Sequence, residues 1–395
     1  MIEALLTPKV QIFIRDHEND DPATLMLRAK QYSDIPLKEA VEQIQSRKKA
    51  KVKLPTWYVA NHLIYPPPLS LEQSSSAITA EYKASLFSGK KFVDLTGGMG
   101  IDFSFLSKSF KKGFYIERQA NLVEIAQHNM KCLGLKSAEF HHAEAEDFLN
   151  QTSEKFDLIF LDPARRGSHD QKVFRIEDCE PNVLSLLPLM KAKGSSVLIK
   201  TSPLLDIKGA VKDLGGATQV HVVAVNNEVK ELLFIIDANA NENPMIKAID
   251  LTNTEVEFEF NYAEEQNTNL AHGSIENYLY EPNVAILKAG AFKSIAARLG
   301  LIKLHVNSHL YTSKTLVTNF PGRSFKVIRE INLNKKELRK ALPSMKANIT
   351  VRNYPMTVEQ IRKKTSLADG GNQYIFATTD QSGKKVVLCE KVDQQ

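Results

Sequence analysis

Two segments of this chain carry residue types and spacings suited to a small-molecule site. In VDLTGGMGID, residues 93–102, an apolar run ends in Asp94 and gives way to Thr96, Gly97, Gly98, Gly100 and Asp102 at the head of a helical stretch. Glycine lets a backbone approach a ligand with no Cβ in the way, and an aspartate at the strand end can order the loop. In FDLIFLDPARRG, residues 156–167, Asp162 leaves a second apolar run and is followed by Pro163, Ala164, Arg165 and Arg166. Proline fixes φ and removes a donor, so the segment sets a carboxylate, the Ala164 backbone and two arginines beyond the end of a strand. A purely structural βα turn and a simple Asp-Pro turn could use the same residues, and either arginine could equally serve a salt bridge.

The ligand class narrows with the residues around these segments. A nicotinamide fingerprint would need glycine at position 103, where Phe103 stands, and no GxxxxGK[ST] run is present. Neither NAD nor ATP is favoured. GFYIERQ closes the next strand with Glu117, 23 residues after Asp94, near the spacing at which a carboxylate meets a ribose diol. Its charge suits a cationic sulfonium cofactor better than a phosphate one. In HHAEAEDFL, Glu144 and Ala145 offer a carboxylate and a backbone N–H for an adenine edge, although a surface role for Glu144 is also open. Lys200 and Ser202, at the end of the fifth strand, are secondary candidates for the pocket wall, and core packing also accounts for them.

The elements that would position these residues alternate. From residue 91, KFVDL, GFYIE, AEFHHAE, FDLIFLD and SVLIK are short apolar runs separated by helical stretches, the pattern of a parallel sheet with crossover helices. QVHVVAV and ELLFIID are too close for a crossover and must form an antiparallel hairpin. Five parallel strands and a terminal hairpin predict an α/β, Rossmann-like sheet of seven strands over 76–238. Residues 1–75 read as a helical domain ending at Pro66, Pro67 and Pro68, after which the serines of LEQSSSAITAEYKASLF supply helix caps. Residues 239–320 read as a linker and a small α+β element, with EVEFEF a candidate exposed strand and NVAILKAGAFKSIAARLGLIKL one helix ending at Gly300. Residues 321–395 alternate strand and helix as a further α+β domain.

Composition bounds the partners. The 395 residues are 43% apolar, enough for more than one core. No run approaches the length of a membrane span and the N-terminus lacks a secretory pattern, so a cytoplasmic protein is expected. Cys132, Cys179 and Cys389 form no CxxC, and His141 and His142 are adjacent, so they would point to opposite faces of a strand; no metal is expected. Charge is polarised: residues 281–395 carry 20 Lys and Arg against 8 Asp and Glu, while residues 241–280 carry 1 against 8. A basic end favours a polyanionic partner, because cationic side chains release counterions from phosphates.

DLTGGMG, YIERQ and LDPARRG in this order, followed by the hairpin, resemble the class I S-adenosylmethionine-dependent methyltransferases. With KLPTW, LEQSSSAITAEYKA, IKTSPLLD, YLYEPNVAILKAG and NYPMTVEQIRKKTSL, the chain resembles more narrowly bacterial methyltransferases that carry a ferredoxin-like element and a C-terminal THUMP-like domain. The resemblance implies S-adenosylmethionine as cofactor. It places Asp94, Gly98 and Gly100 at the cofactor loop, Glu117 on the ribose, Glu144 on the adenine and Asp162 at the start of the catalytic motif. It also implies RNA as partner, since THUMP domains recognise RNA.

Two departures qualify it. Thr96 stands where many members have the loop's first glycine, and Ala164 and Arg165 replace the proline and aromatic residue common in amino-directed enzymes. DPARRG is also similar to a segment of RNA C5-methyluridine enzymes, yet the cysteine those enzymes need is missing from IKTSPLLD. Direct in-line methyl transfer to a base nitrogen of RNA is the resulting expectation, with Asp162, Pro163, Ala164 and Arg165 at the reacting end. A small molecule or protein substrate, and an inactive RNA-binding module, are the alternatives.

Overall fold

The computed structural model describes residues 2–165 and 175–392. The chain divides into two compact units, Met1–Gly215 with Phe234–Ala240, and Gly216–Leu233 with Asn241–Gln395. No described helix is long and apolar enough to cross a membrane.

The N-terminal residues are helical, as their periodicity predicts. Helices Pro8–Asp16, Pro22–Leu27 and Leu37–Lys53 bury Val10, Phe13, Leu25, Val41 and Ile44 in one cluster. Each of the first two begins with proline, which costs nothing where no intrahelical N–H bond is made. In the serine run, Ser76 caps helix Ala77–Ser85 through a reciprocal bond with Thr79.

The strands of the main sheet are β1 (Gly89–Asp94), β2 (Phe110–Glu117), β3 (Ala138–His142), β4 (Phe156–Leu161), β7 (Gly194–Thr201), β8 (Gln219–Val225), β9 (Glu228–Ile236), β10 (Met245–Asp250) and β11 (Asn253–Phe260). Between β4 and β7, the two-residue strands β5 (Ala164–Arg165) and β6 (Cys179–Glu180) pair antiparallel. The sheet order is β11-β10-β8-β9-β7-β4-β1-β2-β3, with β2, β1, β4 and β7 running parallel. Seven of these are the expected α/β strands, and the chain reverses its direction of travel across the sheet between β1 and β4. That switch point is where open parallel sheets leave a crevice beyond their carboxyl ends. Asn226 and Asn227 join β8 to β9 with φ of 54° and 57°, the mirror-image turn that two-residue hairpins require.

The sheet has nine strands, two more than expected. MIKAID, within the stretch read as a linker or a short β-element, pairs parallel with β8, and EVEFEF, the candidate exposed strand, pairs antiparallel with MIKAID. Val256, Phe258 and Phe260 are buried while Glu257 and Glu259 face outward and share Lys247. The expected single helix ending at Gly300 is also two, Val284–Ala289 and Ser294–Leu299, because Gly290 takes φ of 84° and closes the first.

The C-terminal strands are β12 (Tyr278–Pro282), β13 (Ile302–Lys303), β14 (Tyr311–Ser313), β15 (Gly322–Glu330), β16 (Asn348–Arg352), β17 (Gln373–Asp380) and β18 (Gly383–Val392), in the order β13-β14-β12-β15-β18-β17-β16. Helices Lys335–Ala341 and Val358–Thr365 cover part of this sheet, burying Leu338 and Ile361 against Ile375 and Leu388. The strand and helix alternation expected beyond residue 321 is present.

Candidate functional site

The loop after β1 is shaped by hydrogen bonds that its sequence makes possible. Asp94, buried at the strand end, accepts the Thr96 N–H at 3.0 Å. Gly97 lies against Tyr115, where a Cβ would fall 2.2 Å from the ring. The Tyr115 hydroxyl donates to the Gly98 carbonyl. Gly98 and Gly100 take φ of 53° and 77°, and Gly100 opens helix Ile101–Leu106. Glu117, at the end of β2, accepts the Gly98 N–H at 3.0 Å on Oε2 and the Gln119 N–H at 2.9 Å on Oε1. Its two oxygens are thereby fixed, and each retains acceptor capacity for a diol.

Asp162 reaches the same place from β4. Its backbone N–H donates to Thr96 Oγ1 at 2.7 Å, and Lys200 Nζ, from β7, donates to its Oδ2. Behind them lies a buried charge cluster. Asp102 accepts from Ser75 Oγ at 2.7 Å, meets Lys83 Nζ at 3.2 Å and stands 4.0 Å from Lys200 Nζ. Burial alone would raise the Asp102 carboxyl, but Lys83 and Lys200 outweigh it and hold the group below the usual carboxylate range. Asp94 shows the opposite balance. Burial, reinforced by the negative charges of Asp102, Asp162 and Glu117, pushes it well above that range against its bond from Thr96.

A cavity of about 270 Å³ opens beyond β1 and β4. Of the residues singled out from sequence, it gathers Thr96, Gly98, Glu117, Glu144, Ala145, Asp162 and Ala164 on its wall. Asp94, Gly97 and Gly100 are not on the wall; they shape the loop. Asp102, expected at the cofactor, is not on the wall either, because Ser75, Lys83 and Lys200 hold its carboxylate in the buried cluster. Pro163 is likewise off the wall, as are Lys200 and Ser202, the secondary candidates for it, and the Arg165 side chain and Arg166 lie outside the described residues. Sequence reasoning missed Arg118 and Glu180, which line the cavity as an ion pair at 2.5 Å, and Lys83. A signal for Lys83 exists: it falls with Thr79, Ala80 and Ala84 on the buried face of a short helix.

Among the described residues, the cavity wall is acidic. Glu117, Glu144, Asp162 and Glu180 face it, against Arg118, which is paired. A diphosphate would meet these carboxylates unfavourably, whereas a sulfonium nucleoside carries the opposite charge and a diol that Glu117 can accept. The residues present therefore fit S-adenosylmethionine.

Comparisons with known proteins agree with that fit. Family models match over 76–177 (conserved hypothetical protein 95), 278–321 (ferredoxin-like domain) and 322–391 (THUMP domain-like). A solved structure from Porphyromonas gingivalis W83, assigned provisionally as a methyltransferase, is 37% identical, covers 99% of this chain and 98% of its own, and superposes with a TM-score of 0.88. The chain belongs to this methyltransferase family.

Membership of the methyltransferase family accounts for the sheet order and for the α+β region that follows. Among curated relatives, a tRNA (uracil(54)-C(5))-methyltransferase of Pyrococcus furiosus is 29% identical over 128 residues, 31% of this chain and 29% of the relative. A probable cobalt-precorrin-6B C(15)-methyltransferase of Sulfolobus acidocaldarius is 28% identical over 92 residues, 22% of this chain and 48% of the relative. The chain spans less than half the length of these curated relatives.

Proposed function

We propose that this protein transfers the methyl group of S-adenosylmethionine to RNA, with residues 76–238 as the transferase domain and 321–395 as a THUMP-like RNA-recognition domain. The observation that carries the reading is the presence of Glu117 and Asp162 on one cavity wall, joined through the Thr96 loop. When bound, S-adenosylmethionine supplies an already activated methyl donor. Glu117 accepts the ribose hydroxyls, Glu144 and the Ala145 N–H meet the adenine edge, and Asp162 orients the acceptor and receives its proton. Alignment of donor and acceptor supplies most of the rate, about 7 to 11 kcal/mol in favourable cases.

RNA as the substrate is supported by the tRNA enzyme among the relatives, the THUMP-like match and the basic balance of residues 281–395. In this reading the protein acts in the cytoplasm. Covalent pyrimidine chemistry is disfavoured in this reading, because none of Cys132, Cys179 and Cys389 is among the described residues that line the cavity.

The corrin-directed relative favours a small-molecule acceptor as a second reading. Transfer of tritiated methyl into RNA, protein and metabolite fractions from cells lacking the protein separates the two. Label in RNA that disappears with Asp162→Ala supports the proposal, and label confined to metabolites replaces it with the second reading.

A further inference from the structure

The Asp162 carboxylate on the cavity wall is ion-paired. Lys200 donates to it, and the same ammonium lies 4.0 Å from Asp102, a buried carboxylate already engaged by Ser75 and by the fully buried Lys83. Lys200 is thus held between two carboxylates. Withdrawing it would weaken the compensation of Asp102 as well as of Asp162. Lys200 is itself off the cavity wall, but its ammonium lies directly on the Asp162 carboxylate that is on it.

That charge discriminates between acceptor elements. A nitrogen gains positive charge as its bond to the methyl carbon forms, and a neighbouring ammonium opposes it. A hydroxyl behaves in the opposite way. It is a poor nucleophile until its proton begins to leave, a nearby cation stabilises the negative charge that builds on oxygen, and a carboxylate in the same ion pair can take the proton.

We propose, building on the RNA reading above, that the acceptor is the ribose 2′-hydroxyl of RNA and that Asp162 and Lys200 act on it as an ion-paired couple. The hydroxyl oxygen forms the new O–C bond with one of its lone pairs while the carbon–sulfur bond breaks and its electron pair passes to sulfur. The O–H proton moves to the Asp162 carboxylate and then to water. A sulfonium and a carboxylate become a neutral thioether and a carboxylic acid, so charge balances. Lys83 and Asp102 touch no acceptor in this scheme; they are positioning residues for Lys200.

The test uses the full-length protein, methyl-labelled S-adenosylmethionine and RNA from cells lacking the protein. Labelled RNA is digested to nucleosides and the sugar is separated from the base. Label on the sugar, with the adjoining phosphodiester resistant to alkali, is the expected result. Label on the base overturns the 2′-hydroxyl proposal while the RNA reading stands, and absence of label from RNA overturns both. Lys200→Met is expected to lower turnover about a hundredfold or more while affinity for S-adenosylhomocysteine changes by less than about threefold. Lys200→Arg should recover part of the turnover with an altered pH profile. Wild-type turnover and pH profile in Lys200→Met would overturn the role of Lys200. The position of the label in the wild-type product tests the acceptor independently of how either variant folds.

Discussion

The backbone N–H of Asp162 donates to the side-chain hydroxyl of Thr96 at 2.7 Å, tying the end of β4 to the glycine loop after β1. A glycine at position 96 would have no side chain to accept that bond. In this chain the threonine links the segment proposed to hold the cofactor with the segment proposed to hold the acceptor. Thr96→Val removes the acceptor while keeping the shape. A bond of this kind contributes about 1 kcal/mol, so turnover should fall about fivefold. Thr96→Ser should retain most of it. Steady-state kinetics on the three proteins checks the link.

Gly97 and Gly98 should fail for different reasons when a methyl group is added. Gly97→Ala drives a Cβ into the Tyr115 ring and should cost about 1 to 3 kcal/mol through overpacking. Gly98→Ala meets no atom closer than 3.8 Å, but its φ of 53° is left-handed, which costs about 1 to 2 kcal/mol. Urea unfolding measures both, and compensation by a smaller, non-aromatic residue such as Tyr115→Leu is expected only for Gly97→Ala, because the clash is with ring carbons that phenylalanine would keep.

The two buried aspartates should respond to pH in opposite directions. The Asp94 carboxyl is raised in the folded protein, so its contribution is fully present below its unfolded value of about 3.9 and is lost as pH rises through the folded value. Asp94→Asn keeps an oxygen for the Thr96 N–H without the buried charge. It should therefore be more stable than the wild type at pH 7, with the gain shrinking toward pH 4. Asp102 is lowered, so its contribution is present above about 3.9 and is lost as pH falls through its folded value. Urea unfolding at several pH values checks both signs.

Removing the cation from the buried pair should be far more costly than removing either surface charge of an exposed one. Lys83→Met leaves Asp102 with Ser75 and the more distant Lys200, and a broken buried pair typically costs about 3 to 5 kcal/mol. Pairing the change with Asp102→Asn should recover much of that loss. Equilibrium unfolding of the single and double variants measures it.

RNA binding should depend steeply on salt. With about four phosphate contacts, affinity should fall roughly a hundredfold between 50 and 200 mM salt. Filter binding or fluorescence anisotropy supplies the slope, and a flat response would contradict an RNA partner recognised through the basic residues 281–395.

Much of the fold was legible because local chemistry and tertiary structure agree. The connection between QVHVVAV and ELLFIID is too short for a crossover and leaves only a hairpin, and Asp94 and Glu117 end, and Asp162 directly follows, a strand that the apolar pattern marks. Less legible were β10 and β11. Their alternation suits a strand, but only pairing with β8 decides that MIKAID is one. Gly290 broke an otherwise continuous helical pattern through its backbone conformation, which apolar spacing does not report. Within the site, the strand-end residues could be found from motifs, whereas Lys83 joins Asp102 only through packing of helix Ala77–Ser85 beside helix Ile101–Leu106. Asp102 was visible as a residue, but its partners were not.

Calorimetric titration with S-adenosylmethionine and S-adenosylhomocysteine asks whether the cavity beyond β1 and β4 is a sulfonium-nucleoside site. Saturable 1:1 binding is expected, weakened at least about tenfold in Glu117→Ala, the loss expected when hydrogen bonds to a charged group are removed, with NAD and ATP binding more weakly than either. No binding of the two sulfur nucleosides, or binding unchanged by Glu117→Ala, would contradict it.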